Sequence, residues 1–85
     1  MSLNSADPPA GPVMPLSLAA VGRTVTFARA EGGVGLIRRL AEMGLTPGEP
    51  IRVLHRGPGP FIIMVRGSRL VLGRGMVQRI LVRPG

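Results

Sequence analysis

The chain contains no cysteine, tryptophan, tyrosine or lysine among its 85 residues. Without cysteine it cannot form a disulfide, a thiolate zinc site, an iron–sulfur cluster or a cysteine nucleophile. The only aromatic side chains are Phe27 and Phe61, so a core must be built from aliphatic residues and methionine. Hydrophobic residues nevertheless make up 45% of the chain, which is typical of a globular protein and leaves room for one small domain.

All positive charge comes from arginine. The chain has eleven arginines and four acidic residues, which gives a net charge of +7. One of the four, Asp7, lies near the N-terminus, so residues 16–85 are more basic still, with only Glu31, Glu42 and Glu49 as acids. This composition is compatible with a polyanionic or acidic partner but does not require one.

The sequence contains no long apolar run. A membrane-spanning helix needs about 20 apolar residues, and the longest uninterrupted stretch is Phe61 to Val65. We therefore expect no direct membrane insertion. The N-terminal residues show neither a basic segment nor an apolar one, which argues against a secretory signal and favours a cytoplasmic location.

Residues 1–15 differ in composition from the rest. They contain four of the nine prolines beside serine, asparagine, aspartate and glycine, a mixture with little apolar surface to bury. We predict a disordered proline-rich tail over 1–15 and a folded domain over 16–85.

Within 16–85, turn signals rich in glycine and proline recur at short intervals, which favours short strands. Apolar residues alternate between these turns and predict five strands. The inward-facing positions are Val25 and Phe27, Ile51 and Val53, Phe61, Ile63 and Val65, Leu70 and Leu72, and Ile80 and Val82.

One segment has helical periodicity. Leu36, Leu40 and Met43 form an apolar stripe, which predicts an amphipathic helix from Val34 to Met43. Gly44 can take the left-handed conformation that ends a helix, and Leu45 can pack back on the last turn. Thr46-Pro47-Gly48-Glu49 then has the residues of a tight turn.

These elements predict a mainly β fold. We expect a small SH3-like, partly closed barrel of about five strands, with one short helix inserted after the first strand. A barrel of the oligonucleotide-binding (OB) type is the alternative.

The residues offer little for catalysis or metal binding. Outside the tail the only titratable groups other than arginine are His55 and three glutamates, so no catalytic triad is available and no catalytic residue is predicted. His55 is interpreted as a strand-end residue, and Met43 and Met64 as packing residues. Gly32-Gly33-Val34-Gly35 lacks the lysine of a phosphate-binding loop. We predict that the protein is not an enzyme and has no metal site and no cofactor.

The segment Phe61 to Val65 is apolar at every position. If its first, third and fifth residues face the core, Ile62 and Met64 face outward, and Val71 on the paired strand can join them. Arg56, Arg66 and Arg69 would surround this cluster. We predict a protein-docking or self-association surface formed by these six residues. Cover by the N-terminal segment or by the helix is the alternative.

Nucleic-acid binding is the rival function, because small basic barrels often bind RNA or DNA. Single-stranded nucleic acids are usually held by stacking on aromatic side chains. Both phenylalanines occupy predicted core positions, and the arginines are spread along the chain. This reading is therefore the less favoured one.

Residues 40–53 read Leu-Ala-Glu-Met-Gly-Leu-Thr-Pro-Gly-Glu-Pro-Ile-Arg-Val. This segment resembles the L-x-x-[LM]-G-[LIM]-x-P-G-x-x-[IV]-x-V signature of the ferrous-iron transport protein A (FeoA) family, and is similar to the SH3-like C-terminal domain of metal-dependent repressors. The resemblance continues over residues 16–85, with Val77 standing where the family usually has alanine. Its structural motif consists of Met43, Gly44, Leu45, Pro47 and Gly48.

The resemblance implies a non-catalytic, cytoplasmic accessory protein of bacterial ferrous-iron uptake. Its expected partner is the ferrous-iron permease that carries a GTPase domain, which it would bind and modulate. A homo-oligomer is a further expectation.

Overall fold

A computed structural model describes residues 12–85, and residues 1–11 of the predicted tail lie outside the described part. These described residues form six strands and two α-helices, with one 3-10 turn at Leu16–Leu18. In chain order the elements are β1 (Met14–Pro15), β2 (Thr24–Ala30), α1 (Val34–Glu42), β3 (Pro50–His55), β4 (Phe61–Val65), β5 (Ser68–Leu72), α2 (Arg74–Arg79) and β6 (Ile80–Pro84).

The strands form one antiparallel sheet in the order β1-β6-β2-β3-β4-β5. The five predicted strands are confirmed as β2 to β6. The first strand was not predicted: Met14 and Pro15, assigned to the tail, pair with Val82 and Leu81 of β6. Backbone pairing at the sheet edge orders this short segment although its composition resembles that of the tail.

The predicted helix is confirmed one residue shorter, as α1. It ends in the hydrogen-bond pattern of a Schellman cap: the Leu45 N–H donates to the Leu40 carbonyl and the Gly44 N–H donates to the Ala41 carbonyl, both at 2.9 Å. Gly44 has a φ of 95°. Leu40 and Leu45 are both buried, so the cap also carries the apolar contact that usually accompanies it.

The tight turn after the cap is confirmed as well. The Glu49 N–H donates to the Thr46 carbonyl at 3.0 Å, and Gly48 has a φ of 91°. Two further backbone bonds, between Gly48 and Phe27 and between Phe27 and Glu49, fix the turn against β2. The motif therefore joins helix, turn and sheet.

We expect Gly44→Ala to destabilise the protein while Gly35→Ala stabilises it. At Gly44 a side chain meets a positive φ, and its Cβ would lie 3.2 Å from Cδ of Arg66. The expected loss in the free energy of unfolding is about 1–2 kcal/mol. Each kcal/mol lowers Tm by about 4–8 °C in a domain of this size. Gly35 lies in α1 with open space around it, and alanine there should gain about 0.5–1 kcal/mol. Thermal unfolding followed by circular dichroism measures Tm for both variants. A Tm shift of the same sign and size in both would contradict the role of Gly44 in the helix cap.

The second helix, α2, was not predicted. It has six residues, Arg74–Arg79, and buries only Val77, so it shows too little apolar periodicity to be recognised. It packs against the 3-10 turn, β1 and β6. Val77, the departure from the family pattern, is accommodated within the core.

Candidate protein-docking face

The β4–β5 hairpin separates its side chains onto two faces. Its inner positions Phe61, Ile63 and Val65 are buried, as the alternation predicts. Ile62 and Met64 therefore lie on the outer face, where Ile62 pairs with Val71 and Met64 pairs with Arg69 across the hairpin. The two β4 residues are half-buried and Val71 is 67% exposed. Within residues 12–85, neither α1 nor another element covers Val71.

Met64 lies between two arginines. Its partner on one side is Arg69 of β5 and on the other side Arg52 of β3. Arg52 was missed by the sequence analysis, although its alternation with the buried Ile51 and Val53 places it on this outer face. We call the set Arg52, Ile62, Met64, Arg69 and Val71 the hairpin face.

The other two predicted residues lie elsewhere. Arg56 donates a hydrogen bond from its guanidinium to the Ala19 carbonyl at 3.0 Å, which ties the β3–β4 loop to the segment before β2. Arg66 occupies the hairpin turn, and its side chain lies beside Gly44 and 3.8 Å from the Glu49 carboxylate. An ion pair this long, with its guanidinium largely exposed to solvent, contributes little to stability. Arg56 and Arg66 therefore border the hairpin face without joining its rows.

A groove of about 460 Å³ opens at the end of the hairpin. One wall is the β3–β4 loop and the other is the connection from β5 to α2. Its lining residues are Ser17, Arg56, Gly57, Gly59, Pro60, Phe61, Val71, Leu72, Gly73, Arg74 and Val77. Val71 belongs both to this rim and to the hairpin face, so the two features are continuous.

His55 ends β3, as predicted, and it is exposed. Its Nδ1–H donates to the Pro60 carbonyl at 2.9 Å and thus closes the loop at the groove. Over residues 12–85, no three histidine or acidic side chains come close enough together to hold a metal ion.

The arginines leave a strongly positive surface. In the described range only Arg29 and Arg66 approach a carboxylate, each at 3.8 Å. From Pro50 to Gly85 the sequence has seven arginines and no acidic residue. Both phenylalanines are buried, and the chain has no tyrosine or tryptophan, so His55 is the one exposed ring on which a base could stack.

Neither α-helix in the described range is long and apolar enough to cross a bilayer.

Residues 12–85 form an antiparallel six-stranded sheet that does not close, with a short helix between its second and third strands. This arrangement defines a small SH3-like β domain. The FeoA domain family matches residues 14–84, and the chain belongs to that family. The FeoA family consists of transport accessory proteins.

Relatives of known sequence or structure agree with this assignment. A Methanocaldococcus jannaschii protein assigned to Fe(2+) transport as transport protein A is 35% identical over 68 residues, which cover 80% of this chain and 83% of that protein. The crystal structure of an iron uptake regulatory protein (FeoA) is 42% identical, with a TM-score of 0.77 over 84% of this chain and 96% of its own.

Two further structures bear on the predicted fold. The Stenotrophomonas maltophilia FeoA complexed with zinc, described as a procaryotic SH3 domain protein, is 25% identical, with a TM-score of 0.71 over 81% of this chain and 88% of its own. A manganese-dependent transcriptional repressor is 26% identical, with a TM-score of 0.78 over 91% of this chain but 44% of its own. The predicted SH3-like fold and the similarity to metal-dependent repressors are confirmed.

Proposed function

We propose that this protein is a non-catalytic cytoplasmic accessory protein that binds the GTPase-containing region of a ferrous-iron permease through the hairpin face. The observation that carries the proposal is the apolar pair Ile62 and Val71, with Met64 beside it between Arg52 and Arg69, on the outer face of the β4–β5 hairpin. Exposed apolar clusters with arginine around them are typical of protein interfaces.

The family supports the choice of partner. Relatives are named for Fe(2+) transport, and the S. maltophilia FeoA is described as a candidate activating factor of bacterial ferrous iron transport. The domain brings no group of side chains suited to bond making or breaking, so its effect on the permease would be a shift between conformational states of the GTPase region.

The double variant Ile62→Asp with Met64→Asp should abolish binding to the purified GTPase domain and leave the fold intact. Each change places a carboxylate where an apolar contact is needed, and the loss of such central contacts costs about 2 kcal/mol or more, which is about 30-fold in Kd. Isothermal titration calorimetry with the full chain measures the affinity, and circular dichroism checks the fold.

The matched control is Val34→Asp with Ile37→Asp on α1. These two residues are also apolar and exposed, by 73% and 48%, so the change in charge is the same at a different surface. Binding that survives in the control and is lost in the hairpin variant supports the proposal. Unchanged affinity in the hairpin variant removes this face from the function.

The same preparations test self-association and nucleic-acid binding. If the hairpin face forms a homo-oligomer, light scattering will show a smaller particle for the double variant only. Non-specific phosphate contacts weaken steeply with salt. A complex with the GTPase domain that persists at about 150 mM salt, where RNA and DNA binding is lost, favours the accessory role; the opposite result favours the nucleic-acid function.

A further inference from the structure

Strand β5 is an open edge of the sheet. Among residues 12–85 it pairs only with β4, and no further backbone hydrogen bond reaches it. The opposite edge, β1, has two residues, whereas β5 has five. The N–H and C=O groups along such an edge can pair with another extended chain.

The hairpin register identifies which backbone groups point outward. Arg66 and Gly67 form a two-residue turn with φ values of 52° and 81°, so Val65 and Ser68 close it. In such a hairpin the closing pair exchanges both backbone hydrogen bonds, and hydrogen-bonded and non-hydrogen-bonded pairs then alternate. Arg69 and Val71 fall in the non-hydrogen-bonded pairs. Their N–H and C=O groups therefore point away from β4 to the open edge.

The same two residues also present their side chains on the hairpin face. Arg69 continues the row of Arg52 and Met64, and Val71 continues the row of Ile62. A strand added beside β5 would place two of its own side chains, two positions apart, next to Arg69 and Val71. Arg69 favours a carboxylate as its neighbour, and Val71 favours an aliphatic side chain.

We infer that the β5 edge binds an extended, acidic segment of a partner protein by strand addition, with an acidic side chain beside Arg69 and an aliphatic side chain two residues away beside Val71. This inference rests on the proposed function, since it names the kind of segment that the partner presents. Arg66 and Arg74 flank the strand, and no acidic residue follows Glu49. A second copy is the poorer occupant because pairing along β5 would bring two sets of these arginines together.

Amide hydrogen exchange of the full chain, measured by NMR, tests the inference. In the free protein the Arg69 and Val71 amides should exchange fast and those of Leu70 and Leu72 slowly. The probe is the peptide Ser-Thr-Ile-Thr-Glu-Thr-Ile-Thr-Ser, which offers the required pattern in both strand directions. On binding it should slow exchange at Arg69 and Val71. The same peptide with Lys at its centre should not bind.

Substitutions at the edge separate backbone pairing from side-chain contact. Val71→Pro removes the outward N–H but no hydrogen bond to β4, and proline is tolerated at such edge positions. Val71→Ala keeps the N–H and shortens the side chain, which stays apolar. We expect Val71→Pro to abolish peptide binding and Val71→Ala only to weaken it. Arg69→Glu should reverse the preference between the Glu and Lys peptides, which keeps the test valid if the proline variant fails to fold.

Three results would overturn the inference: no binding of the Glu peptide, binding without slower exchange at Arg69 and Val71, or slower exchange with rising protein concentration alone, which would assign the edge to a second copy. Binding of the permease GTPase domain distinguishes a failure of this inference from a failure of the proposed function. If the domain binds without protecting these two amides, strand addition is wrong and the accessory role stands. If the peptide binds but the domain does not, strand addition stands and the choice of partner is wrong.

Discussion

Leu40→Ala is expected to lower the free energy of unfolding by about 2–5 kcal/mol. Leu40 is the only buried residue of α1, with 0% exposure, and it also accepts the Schellman hydrogen bond from Leu45. Its removal leaves a cavity between the helix and the sheet and detaches the one fully buried side chain of α1, so that only the half-buried Leu36 still holds the helix to the core. Urea unfolding monitored by circular dichroism measures the change.

Val34→Ala on the same helix is the control. Val34 is 73% exposed, and alanine has the higher helix propensity, so stability should change by less than about 0.5 kcal/mol. If both variants lose the same free energy, α1 is not held to the sheet by Leu40. If neither loses stability, the helix does not contribute to the cooperative unit.

The part of the fold that the sequence predicts is the part fixed by local rules. In the segment from Leu40 to Glu49, the helix cap, the glycine at positive φ and the turn each have their own residue signature, and all three agree with the structure. The strand pattern of Phe61 to Val65 likewise identifies the inner and outer faces of β4. These features need only neighbours in sequence.

The features that were missed either depend on contacts between residues distant in sequence or are too short to show a period. Met14 and Pro15 form a strand only because β6 lies beside them, and α2 is too short to show a period. The positions of Arg56 and Arg66 depend on which backbone or helix end lies within reach, namely the Ala19 carbonyl and Gly44. Alternation indicates which way a strand residue faces, but not where a long side chain in a loop or turn goes.

The largest effect is expected for Ile63→Asp, which should leave the chain unfolded. Ile63 has 0% exposure and pairs with Val53 and Leu70 on the inner face. A carboxylate there has no partner, and such burial costs several kcal/mol, which is comparable to the whole stability of a small domain, about 5 kcal/mol at the low end. We expect no folded signal by circular dichroism or in the NMR spectrum.

The variant Ile62→Asp, one residue earlier on the same strand, tests the outer face in the same way that Ile63→Asp tests the core. The two changes are chemically identical, but successive side chains of a strand point to opposite faces, so Ile62→Asp should remain folded and lose partner binding only. A one-residue slip of β4 would exchange the two outcomes, because every side chain would change face. If both variants unfold, Ile62 belongs to the core and the hairpin face cannot serve as a docking surface. If Ile62→Asp folds, the carboxylate faces solvent, and the apolar side chain that it replaces is free to contact a partner.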